Sequence, residues 1–253
     1  MEKITGYASY VGCSRLSLGD GMRRLSGFAV FDLDGTLVDT LDEIRAALNR
    51  VLARHQRRDL SRDEVQNLIG HGPYTLLERA WKATGMKISP SENIDLAEEY
   101  SREYDKNPPG TSRPYPGVVE GLRRLVRLGW KLGICTNKHG DAARSLVREL
   151  GWQCWIRVVV SGEETYRKPD PRVLQLCFQQ LGAGFGRHLF IGDSQVDLQT
   201  AQNARIEGIF LSHGYGQMGS FRSARFESAV NLFRWMAQSG PQFKSMGCEG
   251  EDL

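Results

Sequence analysis

Apolar positions along the chain follow two rhythms. Short unbroken runs, FAVF (28–31), KLGICT (131–136), RVVVS (157–161), HLFIGD (188–193) and GIFLS (208–212), carry β-branched, aliphatic and aromatic side chains without polar alternation. A strand apolar on both sides is one covered on both sides, which is the condition of a parallel sheet. Between the later runs, VVEGLRRLVRL, AARSLVREL, RVLQLCFQQL and DLQTAQNA space their apolar residues three and four apart, the pattern of helices with one buried face. The alternation predicts an α/β fold, a doubly wound parallel sheet with helices on both faces.

One interval breaks the alternation. From residue 39 to about 110 the pattern is helical throughout, in LDEIRAALNRVLARH, SRDEVQNLIG, PYTLLERAWKATG and SENIDLAEEYSREY, and it ends at the turn-prone NPPGTSRPYPG. A crossover between parallel strands needs one helix, so this interval reads as an inserted α-helical cap domain over the carboxyl edge of the sheet. The expected organisation is a loose extension over 1–26, an α/β core domain over 27–38 and 112–253, and a helical cap over 39–111. A final helix is expected in ESAVNLFRWMAQ, followed by a frayed tail in GCEGEDL.

Composition narrows the functional classes. The 253 residues carry 33 basic and 30 acidic side chains, a net charge of +3 that gives no reason to expect a nucleic-acid partner. The basic clusters RHQRRDLSR and RRLVR lie on helical patterns, where a solvated face accounts for them. Five scattered cysteines show no metal-binding spacing, and an odd count argues against a disulfide framework; a reducing, cytoplasmic location is expected. No apolar run is long enough to span a bilayer, so no membrane partner is expected, and the chain is taken as a monomer or homodimer.

The chemistry gathers at the strand ends. The first run delivers Asp32 and Asp34, the second Thr136 and Asn137, the third is followed by Lys168 in YRKPDP, and the fourth delivers Asp193 with Asp197 in GDSQVD. Carboxylates converging beside an apolar interior repel one another unless a cation sits among them. An all-oxygen set suits a hard divalent ion, and Mg²⁺ with a phosphate co-ligand is the expected cofactor. A strand-end carboxylate is expected to be ionised at neutral pH, so Asp32 can attack phosphorus and form an aspartyl-phosphate. Asp34, two residues on, can protonate the leaving oxygen and then activate water. Lys168, the Thr136 hydroxyl and nearby N–H groups would neutralise the phosphoryl oxygens.

DLDGTLVDT, ICTNK, RKPDP and GDSQVD, in that order, resemble the motifs of the haloacid dehalogenase superfamily over about residues 27–215. The resemblance implies Asp32 as nucleophile, Asp34 as general acid/base, Thr136 as a phosphate ligand and Lys168 as the cation that orients Asp32 and phosphate. It further implies Asp193 as a metal ligand with Asp197 as its acidic neighbour, and Asp34 reaching the metal through its main-chain carbonyl. The insertion corresponds to a helical cap of that superfamily's first type. LIGHGPYTLLERA (68–80) with RPYPGVVEGLRRL is similar to the bacterial phosphoglycolate phosphatases, which implies that Gly70, His71 and Gly72 face the substrate.

The function expected is Mg²⁺-dependent hydrolysis of a small-molecule phosphate ester, with 2-phosphoglycolate favoured. A sugar phosphomutase, another small-molecule phosphatase such as a pyrophosphatase, and a non-catalytic binding module on the same fold stand as alternatives. Dehalogenation is disfavoured, because halide leaves without a proton and Asp34 would be superfluous. Arg45, Arg79 and Lys82 are cap cations that either meet a substrate carboxylate or lie on solvated faces. Cys135, on a buried strand, reads as a core residue.

Overall fold

The first apolar run shows how the sheet is held. In the computed structural model, which describes residues 27–106, 111–162 and 165–239, it forms β1 (Phe28–Phe31), buried throughout. Ala29 and Phe31 enter one hydrophobic layer while Phe28 and Val30 enter the opposite one. Burying each of the larger side chains stabilises the fold by about 1.5–3 kcal/mol, which is why a run without alternation settles in a sheet covered twice.

After β1 the chain makes a two-residue strand, β2 (Val38–Asp39), and then the four cap helices α1 (Leu41–Arg54), α2 (Arg62–Gln66), α3 (Pro73–Ala83) and α4 (Pro90–Tyr104). It returns through β3 (Arg113–Pro114), which pairs antiparallel with β2. The alternation then resumes with α5 (Val118–Arg127), β4 (Lys131–Thr136), α6 (Gly140–Glu149), β5 (Ile156–Ser161), α7 (Pro171–Gln180), β6 (His188–Gly192), α8 (Gln195–Ala204), β7 (Glu207–Leu211), β8 (Ala224–Phe226) and α9 (Ala229–Ser239). The sheet has six strands in the order β5-β4-β1-β6-β7-β8, and every neighbouring pair in it is parallel.

Residues of α5, α6 and α9 cover one face, with Leu122, Leu146 and Phe233 among them. Residues of α7 and α8 cover the other, including Val173, Cys177 and Ala201. The cap keeps a third core of its own, built on Leu48, Leu52, Leu77, Ala80 and Trp81. Strand order reverses at β1, which has β4 on one side and β6 on the other, and in open α/β sheets ligands bind beyond the carboxyl ends at that point.

The strand β8 and the β2–β3 ribbon were not anticipated: ARF has no apolar run, and two residues carry no readable period. The extension expected over 1–26 and the tail GCEGEDL lie outside the described residues.

Candidate active site

Asp32 is the first residue beyond β1, and its N–H still donates to the Ile191 carbonyl of β6 at 2.8 Å. That bond locks it beside the strand that delivers Asp193. The chain then turns at Gly35, whose φ of 83° lies in the left-handed region, where a side chain costs about 1–2 kcal/mol. Space also requires glycine: a Cβ there would stand 2.5 Å from Asp193 Oδ2. Thr36, one residue on, donates its hydroxyl to Asp193 Oδ1 at 2.9 Å. Asp193 Oδ2 accepts the N–H groups of Tyr215 at 2.8 Å and Gly216 at 3.2 Å, which fixes the carboxylate from both oxygens.

Asp197 occupies the first turn of α8, where acidic residues complement the helix N-terminus. Its Oδ2 accepts the Ser194 N–H at 3.1 Å and the Ser194 hydroxyl at 2.5 Å, and Ser194 Oγ in turn accepts the Asp197 N–H, a capping box. The box leaves Oδ1 for Lys168, whose ammonium donates to it at 2.6 Å and stands 2.8 Å from Asp32 Oδ1. Lys168 is placed by Asn137, whose side-chain oxygen accepts the Lys168 N–H at 2.9 Å and whose amide donates to the Lys168 carbonyl at 3.2 Å.

The Asp34 side chain takes a different set of partners. Its Oδ1 accepts the Thr40 hydroxyl at 2.8 Å and the Lys138 ammonium at 3.1 Å. Thr136 is buried at the end of β4, and its Oγ1 accepts the Lys138 N–H at 3.2 Å.

Electrostatics alter one expectation. Burial, opposed by Lys168 and reinforced by Asp197 and Asp193, pushes the Asp32 carboxyl up to about 8. Burial and Asp197 push Asp193 up to about 6. Burial works against the Lys168 charge, yet Asp197 and Asp32 outweigh it and hold the ammonium above its ordinary value. Strand-end placement alone therefore does not hold Asp32 in the ordinary carboxylate range, and further positive charge at the rim would favour its ionised form.

The donor set suits such a charge. Asp32, Asp193 and Asp197 each offer a carboxylate oxygen within 4.8 Å of the others. Asp32 Oδ1 is fully buried and, beyond the Lys168 ammonium at 2.8 Å, finds no hydrogen-bond donor among the described residues. Crowded, under-neutralised oxygen ligands fit a hard divalent cation.

A cavity opens above this rim, lined from the sheet by Asp32, Asp34, Thr136, Asn137, Lys138 and Lys168. The cap closes it with Ile44, Ile69, Leu76, Tyr100 and Tyr104. Gly70 and Gly72 line it as well, and the Asn137 amide donates to the Gly70 carbonyl at 3.4 Å. His71 is not among the lining residues; its Nδ1 is buried without a partner, and burial followed by the Arg79 charge lowers its pKa. None of Arg45, Arg79 and Lys82 lines the cavity.

Sequence reasoning assigned no role to Lys138, Tyr104, Glu43, Thr40 or Tyr215. Lys138 lies inside the recognised ICTNK motif, but a lysine just past a strand reads as a solvated one. Tyr215 and the Tyr104–Glu43 pair act across long sequence separations that no local period reveals.

Residues 29–211 match the family model of the haloacid dehalogenase-like hydrolases. The chain is 37% identical over 188 residues to a phosphoglycolate phosphatase of Mesorhizobium japonicum, covering 74% of this chain and 82% of that one. It is 34% identical over 194 residues to the phosphoglycolate phosphatase of Agrobacterium fabrum, covering 76% and 83%. Among solved structures, a predicted phosphoglycolate phosphatase from Haemophilus somnus superposes with a TM-score of 0.74 at 24% identity, over 85% of this chain and 99% of that one. CbbY from Rhodobacter sphaeroides, solved in complex with phosphate, gives 0.69 at 21% identity over 82% and 96%. At these identities the two structures speak for the fold.

Proposed function

The chain belongs to the haloacid dehalogenase-like hydrolases, and from that premise we propose that it is a Mg²⁺-dependent phosphatase that hydrolyses 2-phosphoglycolate through an aspartyl-phosphate on Asp32. The observation that carries the reading is the buried cluster of Asp32, Asp193 and Asp197 with Lys168 between two of its members. The names of the curated relatives favour phosphoglycolate over the other esters. The buried free thiols of Cys135 and Cys177, among the described residues, support a reducing, cytoplasmic setting.

Asp32, Asp193 and the main-chain carbonyl of Asp34 would hold the ion, with Asp197 beside them. Bound there, Mg²⁺ would supply positive charge that favours the ionised acids and offsets the charge of the phosphoryl group. Asp32 then attacks phosphorus, and the bond from phosphorus to the ester oxygen breaks. Asp34 gives its proton to that departing oxygen. In the second half, Asp34 takes a proton from water as the water attacks the aspartyl-phosphate, and inorganic phosphate leaves with Asp32 restored. Lys168 and the Thr136 hydroxyl hold the transferring group, while Asn137 keeps Lys168 in place.

The test is phosphate release from 2-phosphoglycolate with and without Mg²⁺, beside Asp32→Asn. The substitution should lower kcat by about 10³-fold or more while substrate binding changes far less. Turnover that survives in Asp32→Asn, or that proceeds equally after chelation, overturns the assignment.

A further inference from the structure

The Lys138 side chain is only 7% exposed, and its ammonium reaches Asp34 Oδ1 at 3.1 Å and Oδ2 at 3.4 Å. It also donates to the Tyr104 hydroxyl at 2.8 Å and lies 4.1 Å from the centroid of that ring. Tyr104 belongs to α4, in the cap. Its hydroxyl donates in turn to Glu43 Oε2 of α1 at 2.8 Å, and Glu43 Oε1 accepts the Ser112 N–H, at 2.8 Å, where the chain returns toward the sheet. A continuous line of bonds therefore runs from a rim carboxylate of the core into the cap and back.

The geometry is asymmetric in a useful way. Thr40 and Lys138 both take Oδ1 of Asp34, and Oδ2 is the less occupied oxygen. Lys138 is held in turn by a residue of the cap, Tyr104 of α4.

We propose that Lys138 is a positioning residue for proton delivery: held by Tyr104, it fixes the Asp34 carboxyl chiefly through Oδ1 and leaves the less occupied Oδ2 for the departing ester oxygen, so that cap docking and leaving-group protonation are coupled. The inference rests on the phosphatase reading above. The step concerned is cleavage of the phosphorus–oxygen bond, in which Asp32 supplies the electron pair to phosphorus, the ester oxygen departs with the electrons of the broken bond, and the Asp34 proton moves to it.

Leaving groups distinguish this from a structural role. The alkoxide of glycolate needs the proton, whereas 4-nitrophenolate departs without one. Only steps up to departure of the leaving group enter kcat/KM. For Lys138→Met, kcat/KM on 2-phosphoglycolate should fall about 100-fold, the scale of a misplaced general acid, and on 4-nitrophenyl phosphate by less than about 5-fold. Tyr104→Phe keeps the ring and removes the hydroxyl; it should show the same selectivity at about 10-fold, and the double variant should add little to Lys138→Met, because both act on one group.

Thermal melts accompany each variant, and Tyr104→Phe keeps the idea falsifiable if Lys138→Met folds poorly. Equal losses on both esters, or no loss in either variant, overturn the proposal and leave the phosphatase reading intact. An unaltered enzyme that releases phosphate from neither ester with Mg²⁺ overturns both.

Discussion

Single residues decide whether the rim can form, and Gly35 is the sharpest instance. Its positive φ and the Asp193 oxygen that a Cβ would strike act together. Gly35→Ala should cost at least about 1 kcal/mol in thermal melts and most of the activity, since Asp193 must move. Gly85 separates the two causes, having φ of 92° but open space around its Cβ position. Gly85→Ala should pay the backbone cost of about 1 kcal/mol and keep full activity. A Gly35→Ala enzyme as active as Gly85→Ala would mean that Asp193 is not held where the structure has it. The candidate rim was legible at this scale: Asp32, Asp34, Thr136, Asn137, Lys168 and Asp193 sit at ends of strands or in the loops that follow them, and Asp197 in the first turn of α8. What no local pattern announced is the partner of each side chain. Lys138 finds Asp34 104 residues away, and Tyr104 finds Glu43 at a separation of 61.

Helix capping connects the elements to the site. Asp197 serves α8 as a capping-box acid and serves the cluster as the partner of Lys168, so the box orients a carboxylate of the cluster. Ser194→Ala should lower stability by about 1 kcal/mol and weaken Mg²⁺ binding measured by calorimetry. Ser89 makes the same box at the start of α4, remote from the cluster, and Ser89→Ala should cost a similar amount with metal affinity unchanged. Equal metal affinities in the two variants would separate the cap of α8 from the site. The long elements were readable because continuous burial and helical spacing leave strong marks, as in KLGICT over β4. The short ones were not, because β2, β3 and β8 are held by ladder bonds and tertiary context rather than by apolar periodicity. The site's dependence on a helix start was half-visible, since GDSQVD contains the capping pair but not its second use.

At the scale of the molecule, the acid cluster links folding to pH. A carboxyl raised in the folded chain keeps its proton longer there than in the unfolded chain, so the stability it contributes is complete below the ordinary value of 3.8 and is lost as pH rises. For Asp32 that loss extends to about 8, and for Asp193 to about 6. His71, His188 and His213, lowered by burial from 6.5, act oppositely, with stability lost as pH falls below that value. Between about pH 6.5 and 8 the Asp32 effect stands apart. The Tm of the chelated protein should fall across that window, and Mg²⁺ should restore it, with a larger gain at pH 8. Saturation at 100 times Kd is worth about 2.7 kcal/mol. A flat chelated profile with a pH-independent gain would contradict the raised acids. A different consequence follows from the ribbon of β2 and β3, where Val38 lies opposite Pro114 and Asp39 opposite Arg113. Departure and return of the chain are neighbours in space, so the sheet sees the whole helical insertion as one loop. Exchanging that insertion for another of different shape would keep the acid cluster of the sheet and change which molecules are admitted to it, and the new insertion would also have to supply the partner that Tyr104 gives Lys138.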